Sequence, residues 1–164
     1  MATTSAFTER GHDTGLFVLR IVTGSIFIAH GAQKLFSFGV PGVTNNFSQI
    51  GAPYPEITAP LVSGLEFVGG IALVLGMLTR LVAFLLTIDM LAAIALVHLP
   101  SGFFLPNGYE FALMLAGASI GLVFAGAGAY SVDGAFSHRR RVVHVPTPTY
   151  AAPPAYTTRP PRPA

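Results

Sequence analysis

Residues 15–36 read GLFVLRIVTGSIFIAHGAQKLF, and the reading of this stretch decides the fold. As an α-helix it would be about 33 Å long at about 1.5 Å per residue, enough to cross the hydrocarbon core of a bilayer. Yet it holds Arg20 in its first half and His30, Gln33 and Lys34 in its second. Ionisable groups at membrane depth are costly, so they turn toward partners, water or a ligand rather than lipid. At helical spacing Arg20, Gly24, Phe27, Gly31 and Lys34 share one face, with His30 at its edge. The small residues on that face let a neighbouring helix approach closely. The stretch is not a secretory signal peptide: it is too long for an h-region, carries Arg20 inside it and lacks a cleavage box.

Three more apolar runs follow, at about 59–78, 81–98 and 110–127. The 164 residues are 52% hydrophobic and only 10% charged, against about 25% charged in a soluble domain. The expected fold is therefore all-α, a polytopic membrane protein built as a four-transmembrane-helix bundle in a lipid bilayer. Residues 1–14 are a short polar N-terminus expected to be poorly ordered, and residues 15–134 form the membrane domain. Residues 37–57 read as a loop rich in Gly, Pro, Asn and Ser, and Thr79-Arg80 as a tight hairpin connection. Tyr130–Gly134 reads as a turn. Residues 135–164 are basic, then proline-rich and expected to be a disordered tail, since 142–164 hold seven of the 13 prolines and no apolar period.

Arg10, Arg80 and Arg139-Arg140-Arg141 flank one side of the expected membrane, so both termini are expected in the cytoplasm and the protein in the inner (plasma) membrane. The arginine cluster is an inside anchor on this reading and implies no nucleic-acid binding. Cysteine is absent, which excludes disulfides, thiolate metal sites and a Cys nucleophile in this chain. No metal-ligand spacing, phosphate loop or Ser/His/Asp order appears. Gly117 and Gly121 form a GxxxG pair suited to internal packing or to a homo-oligomer.

Depth along the helices sorts the polar residues into two layers. Arg20 lies about 8 Å and Asp89 about 12 Å from the cytoplasmic ends of their helices, which suggests a buried Arg20–Asp89 ion pair, either a structural clamp or a working site. In the outer half, His30, Lys34, Glu66 and Glu110 could line one polar cavity, a candidate site for a quinone or for protons. Each has a plainer explanation. Glu110 could complete a capping box with Asn107, Lys34 could snorkel to headgroups, and His30 could be a packing histidine. Glu66 has none, because it lies inside a span. Together they could hydrogen-bond a quinone carbonyl and exchange protons with it, with Phe27, Phe36, Phe38 and Phe67 as flat apolar walls. A haem held by His30 and His98 has little further support.

The HGAQKLF run, Glu66 followed by Gly69-Gly70 and Gly76, the NGYE entry to the last span and the closing GAYSVDG together resemble the DoxX family of small bacterial membrane proteins. The resemblance covers about 15–134 and implies four membrane helices. It also implies a link to redox complexes: a mycobacterial member is associated with a superoxide dismutase and a rhodanese-like sulfurtransferase in detoxification and thiol homeostasis. Lacking cysteine, this chain would leave persulfide chemistry to such a partner. Three readings follow: a redox-linked, quinone-interacting subunit; a non-catalytic anchor for soluble oxidoreductases; and a small proton-linked transporter. No cofactor is certain, and quinone is the candidate.

Overall fold

The computed structural model describes the backbone of residues 2–142 and the side chains of residues 10–137. Every regular element in that range is helical. The long first helix, α1 (Ala2–Ala32), runs into a π-helical turn at Gln33–Phe38 and then α2 (Gly39–Gln49). Next come α3 (Pro55–Leu75) and α4 (Thr79–Ala93), which continues through a π-helical turn at Ile94–His98 and a 3-10 turn at Leu99–Ser101. The chain closes with α5 (Glu110–Ala125) and α6 (Val132–Val142).

Three stretches, Arg10–Gln49, Pro55–Leu75 and Thr79–Ser101, are long and apolar enough to cross a membrane, and Glu110–Ala125 is a shorter apolar helix. Their outward faces are as apolar as their interior. Leu61 and Val68 on α3, Phe84 and Ile88 on α4, and Met114 and Phe124 on α5 are all exposed. Such a surface is stable against lipid and unfavourable against water. Inside, Phe27, Leu73, Leu86, Leu115 and Leu122 form the centre of the core.

The glycine face of α1 meets α3. A Cβ added at Gly24 would come within 2.7 Å of the Gly70 carbonyl oxygen, and one at Gly70 equally close to that of Gly24. Gly31 is pressed against the Phe67 backbone in the same way. The backbones are in contact, as small residues on a membrane helix allow. Gly117 and Gly121, by contrast, face outward with nothing within 4 Å of an added Cβ, so nothing among the described residues packs against them.

Several boundaries differ from the sequence-based expectation. Residues 2–14 are helical and continue directly into the first span, tied down where Asp13 Oδ1 accepts a hydrogen bond from Ala129 N–H at 2.9 Å. The expected 37–57 loop contains α2. Val43 is buried and Phe47 half-buried on the side of α2 that packs on α3, and Pro41 lies in its first turn, where proline is tolerated. The hairpin turn is Gly76–Leu78 rather than Thr79-Arg80, because Gly76 takes a left-handed conformation (φ +70°) that ends α3. The turn expected at Tyr130–Gly134 passes into α6, whose backbone carries the arginine cluster in a helix. The proline-rich segment 143–164 lies outside the described residues.

Candidate functional site: a polar cavity between the helices

α1, α3, α4 and α5 enclose a cavity of about 340 Å³, within the size range of small-molecule sites. Its polar groups come from separate helices: His30 from α1, Lys34 from the turn that follows it, Glu66 from α3 and Asp89 from α4. Phe27, Phe47 and Phe111 provide aromatic wall. α2 and the turn after it contribute Phe47, Ile50 and Ala52, so the element read as a loop is part of the enclosure.

Lys34 Nζ donates to Glu66 Oε1 at 2.6 Å, the only ion pair among the described residues. Glu66 is 2% exposed, so its charge needs that partner. Lys34 is only half-buried, which leaves its ammonium in reach of the cavity and of solvent. The Asp89 carboxyl lies within hydrogen-bonding reach of Glu66. Glu66 Oε2 and Asp89 Oδ2 are both buried without a donor. His30 stands at the mouth, exposed, with its ring 6.2 Å from that of Phe111. Both π-helical turns border the cavity, one contributing Lys34 and the other Leu96, Val97 and His98. Turns of this kind widen a helix by one residue and recur at functional sites.

Two expected placements are corrected. Arg20 does not pair with Asp89. Its guanidinium donates to the carbonyls of Leu73 at 3.3 Å and Val74 at 3.4 Å, and to that of Tyr130. These close the C-terminal end of α3, where orphan carbonyls and the helix dipole favour a cation. Gly76 makes the room, since a Cβ there would collide with the guanidinium. Glu110 does not line the cavity, and it does not complete a capping box. It is the first residue of α5, and its Oε1 accepts from Leu105 N–H at 2.8 Å, pinning the preceding loop. Asn107 instead offers its carbonyl to His98 Nδ1 at 3.0 Å.

Asp133 holds a helix terminus that its local sequence does not announce. Its carboxylate accepts from Leu78 N–H at 3.0 Å and Thr79 N–H at 2.9 Å, capping α4 from the far end of the chain. An acid in a GAYSVDG turn signals a local turn, and nothing in the sequence points to a helix 54 residues away.

The DoxX family model matches residues 15–99, and so takes in α3, α4 and all the polar groups of the cavity. The chain belongs to the DoxX family. Among the relatives of this DoxX chain is a Bacillus subtilis protein named "Putative oxidoreductase CatD", 30% identical over 76% of this chain and 89% of its own length. A second is an uncharacterized membrane protein of Mycobacterium tuberculosis, 33% identical over 74% of this chain and 80% of the relative. The Escherichia coli inner membrane protein YqjF is also 33% identical, over 74% and 91%. No solved structure matches this DoxX chain.

Proposed function

We propose that this DoxX-family chain is a redox-linked membrane subunit that receives a quinone in the cavity between α1, α3, α4 and α5, supporting oxidative-stress or thiol detoxification. The carrying observation is the Lys34–Glu66 pair at 2.6 Å, set in an aromatic-walled cavity at the depth of the apolar spans. An ammonium beside an exposed histidine offers hydrogen-bond donors to a carbonyl oxygen, and Phe27, Phe47 and Phe111 suit a flat ring. The name of the Bacillus subtilis relative supports a redox setting. On this reading the termini and the α3–α4 turn face the cytoplasm, as the placement of Arg10, Arg80 and the arginine cluster favours.

Titrating decylubiquinone into the detergent-purified protein tests the reading. Lys34→Met should weaken binding at least about tenfold, the loss of about 1.4 kcal/mol that one charge-assisted hydrogen bond supplies. His30→Ala should weaken it less, because His30 stands at the mouth. Unchanged affinity in Lys34→Met, or no binding by the wild type, overturns the quinone site.

One observation favours the anchor reading. α6 starts at Val132 beside Asp133, which is bolted to the α3–α4 hairpin, and its backbone carries the arginine cluster in the same helix. Such a helix could present a docking surface to a soluble oxidoreductase such as a superoxide dismutase or a rhodanese-like sulfurtransferase. Replacing Arg139, Arg140 and Arg141 by Gln would then release that partner in a gentle-detergent pulldown while leaving quinone binding intact.

A further inference from the structure

Asp89 enters the cavity from α4 and Glu66 from α3, and Lys34 is the only Lys or Arg lining it among the described residues. One Glu66 oxygen is taken by Lys34; the other, and one oxygen of Asp89, are buried with no hydrogen-bond donor in reach. Both carboxyls are more than nine-tenths buried. The remaining titratable groups at the cavity are His30, exposed at the mouth, and His98, turned toward Asn107; α5 contributes only Phe111, Ala112 and Leu115.

Two carboxylates and one ammonium would leave a net negative charge in an apolar interior, with one oxygen of each carboxyl buried and lacking a donor. A single proton removes both penalties, since carboxyls in contact ionise together only at high cost. We infer that Asp89 and Glu66 share one proton next to the Lys34 ammonium, forming an intramembrane proton-exchange site. The pair can donate that proton to an acceptor in the cavity and take one back, and Lys34 keeps the site electroneutral while the proton is held. The inference stands on the arrangement of the three groups and does not depend on the cavity ligand being a quinone. Asp89 thereby gains a role in the cavity, whereas Arg20 belongs to the other end of the bundle.

Infrared spectroscopy of the lipid-reconstituted protein at neutral pH is the test. The wild type should show the C=O stretch of a protonated carboxyl, shifted on exchange into D2O. Asp89→Asn should abolish that band, because Glu66 is left alone with Lys34 and ionises. Glu66→Gln should abolish it too, because Asp89 becomes the sole acid beside the ammonium. Lys34→Met should retain or strengthen it. Absence of the band in the wild type overturns the inference, which the wild-type measurement decides even if a variant fails to fold. Persistence of the full band in both Asp89→Asn and Glu66→Gln overturns it equally, by assigning the proton elsewhere.

Discussion

Asp133 and Arg20 hold opposite helix ends at the same turn, one accepting from the first N–H groups of α4 and the other donating to the last carbonyls of α3. Both act on a helix terminus through its orphan polar groups and its partial charge. Asp133→Ala should therefore destabilise the protein by about 0.5–2 kcal/mol, the worth of an N-cap, and Asp133→Asn by less; thermal unfolding in detergent measures both. Little of this residue-scale detail was readable beforehand. The depth of Arg20, Asp89 and Glu66 follows from the rise per residue, and the grouping of His30, Lys34 and Glu66 in one cavity agrees with that arithmetic. Depth says nothing about rotation, which advances by about 100° per residue. Asp89 and Arg20 were matched in depth, but their helices turn them toward opposite ends, Asp89 to Glu66 and Arg20 to the α3 carbonyls.

Between elements, the contact of α1 with α3 leaves no room for a methyl group at Gly24 or Gly70. Gly70→Ala should cost about 1–3 kcal/mol through overpacking, seen as a lower unfolding temperature. Gly117→Ala and Gly121→Ala should raise it slightly, because space is open at both and alanine loses less backbone entropy in a helix. A drop for either would mean that a second copy or a partner covers that face. The α1 glycine face was legible because helical spacing lines up Gly24 and Gly31. The helix α2 was not, because its apolar stripe is short and lies among Gly, Pro and Asn residues that usually mark loops. The π-helical turns leave no compositional trace, since they depend on how a helix is loaded by its neighbours rather than on local propensity.

For the whole molecule, the membrane class was plain from the scarcity of charge and the long apolar runs, because lipid as a solvent demands both. The orientation can be read directly in this chain, which has no cysteine of its own. Ser137→Cys should react with a membrane-impermeant maleimide only after the cells are opened, and Gly102→Cys in intact spheroplasts; the reverse pattern would invert the proposed topology. The two ends of the bundle also differ in how firmly they are joined. At one end Arg20 binds α1 to α3 and to the Tyr130 carbonyl, Asp133 binds the closing segment to α4, and Asp13 binds Ala129. At the other, α1, α3, α4 and α5 surround a cavity crossed by the Lys34–Glu66 ion pair, with α1 and α3 in backbone contact at Gly31 and Phe67. On the proposed function, a ligand entering the cavity would displace side chains at the Lys34–Glu66 crossing, while the helix ends fastened by Arg20, Asp133 and Asp13 would keep their places.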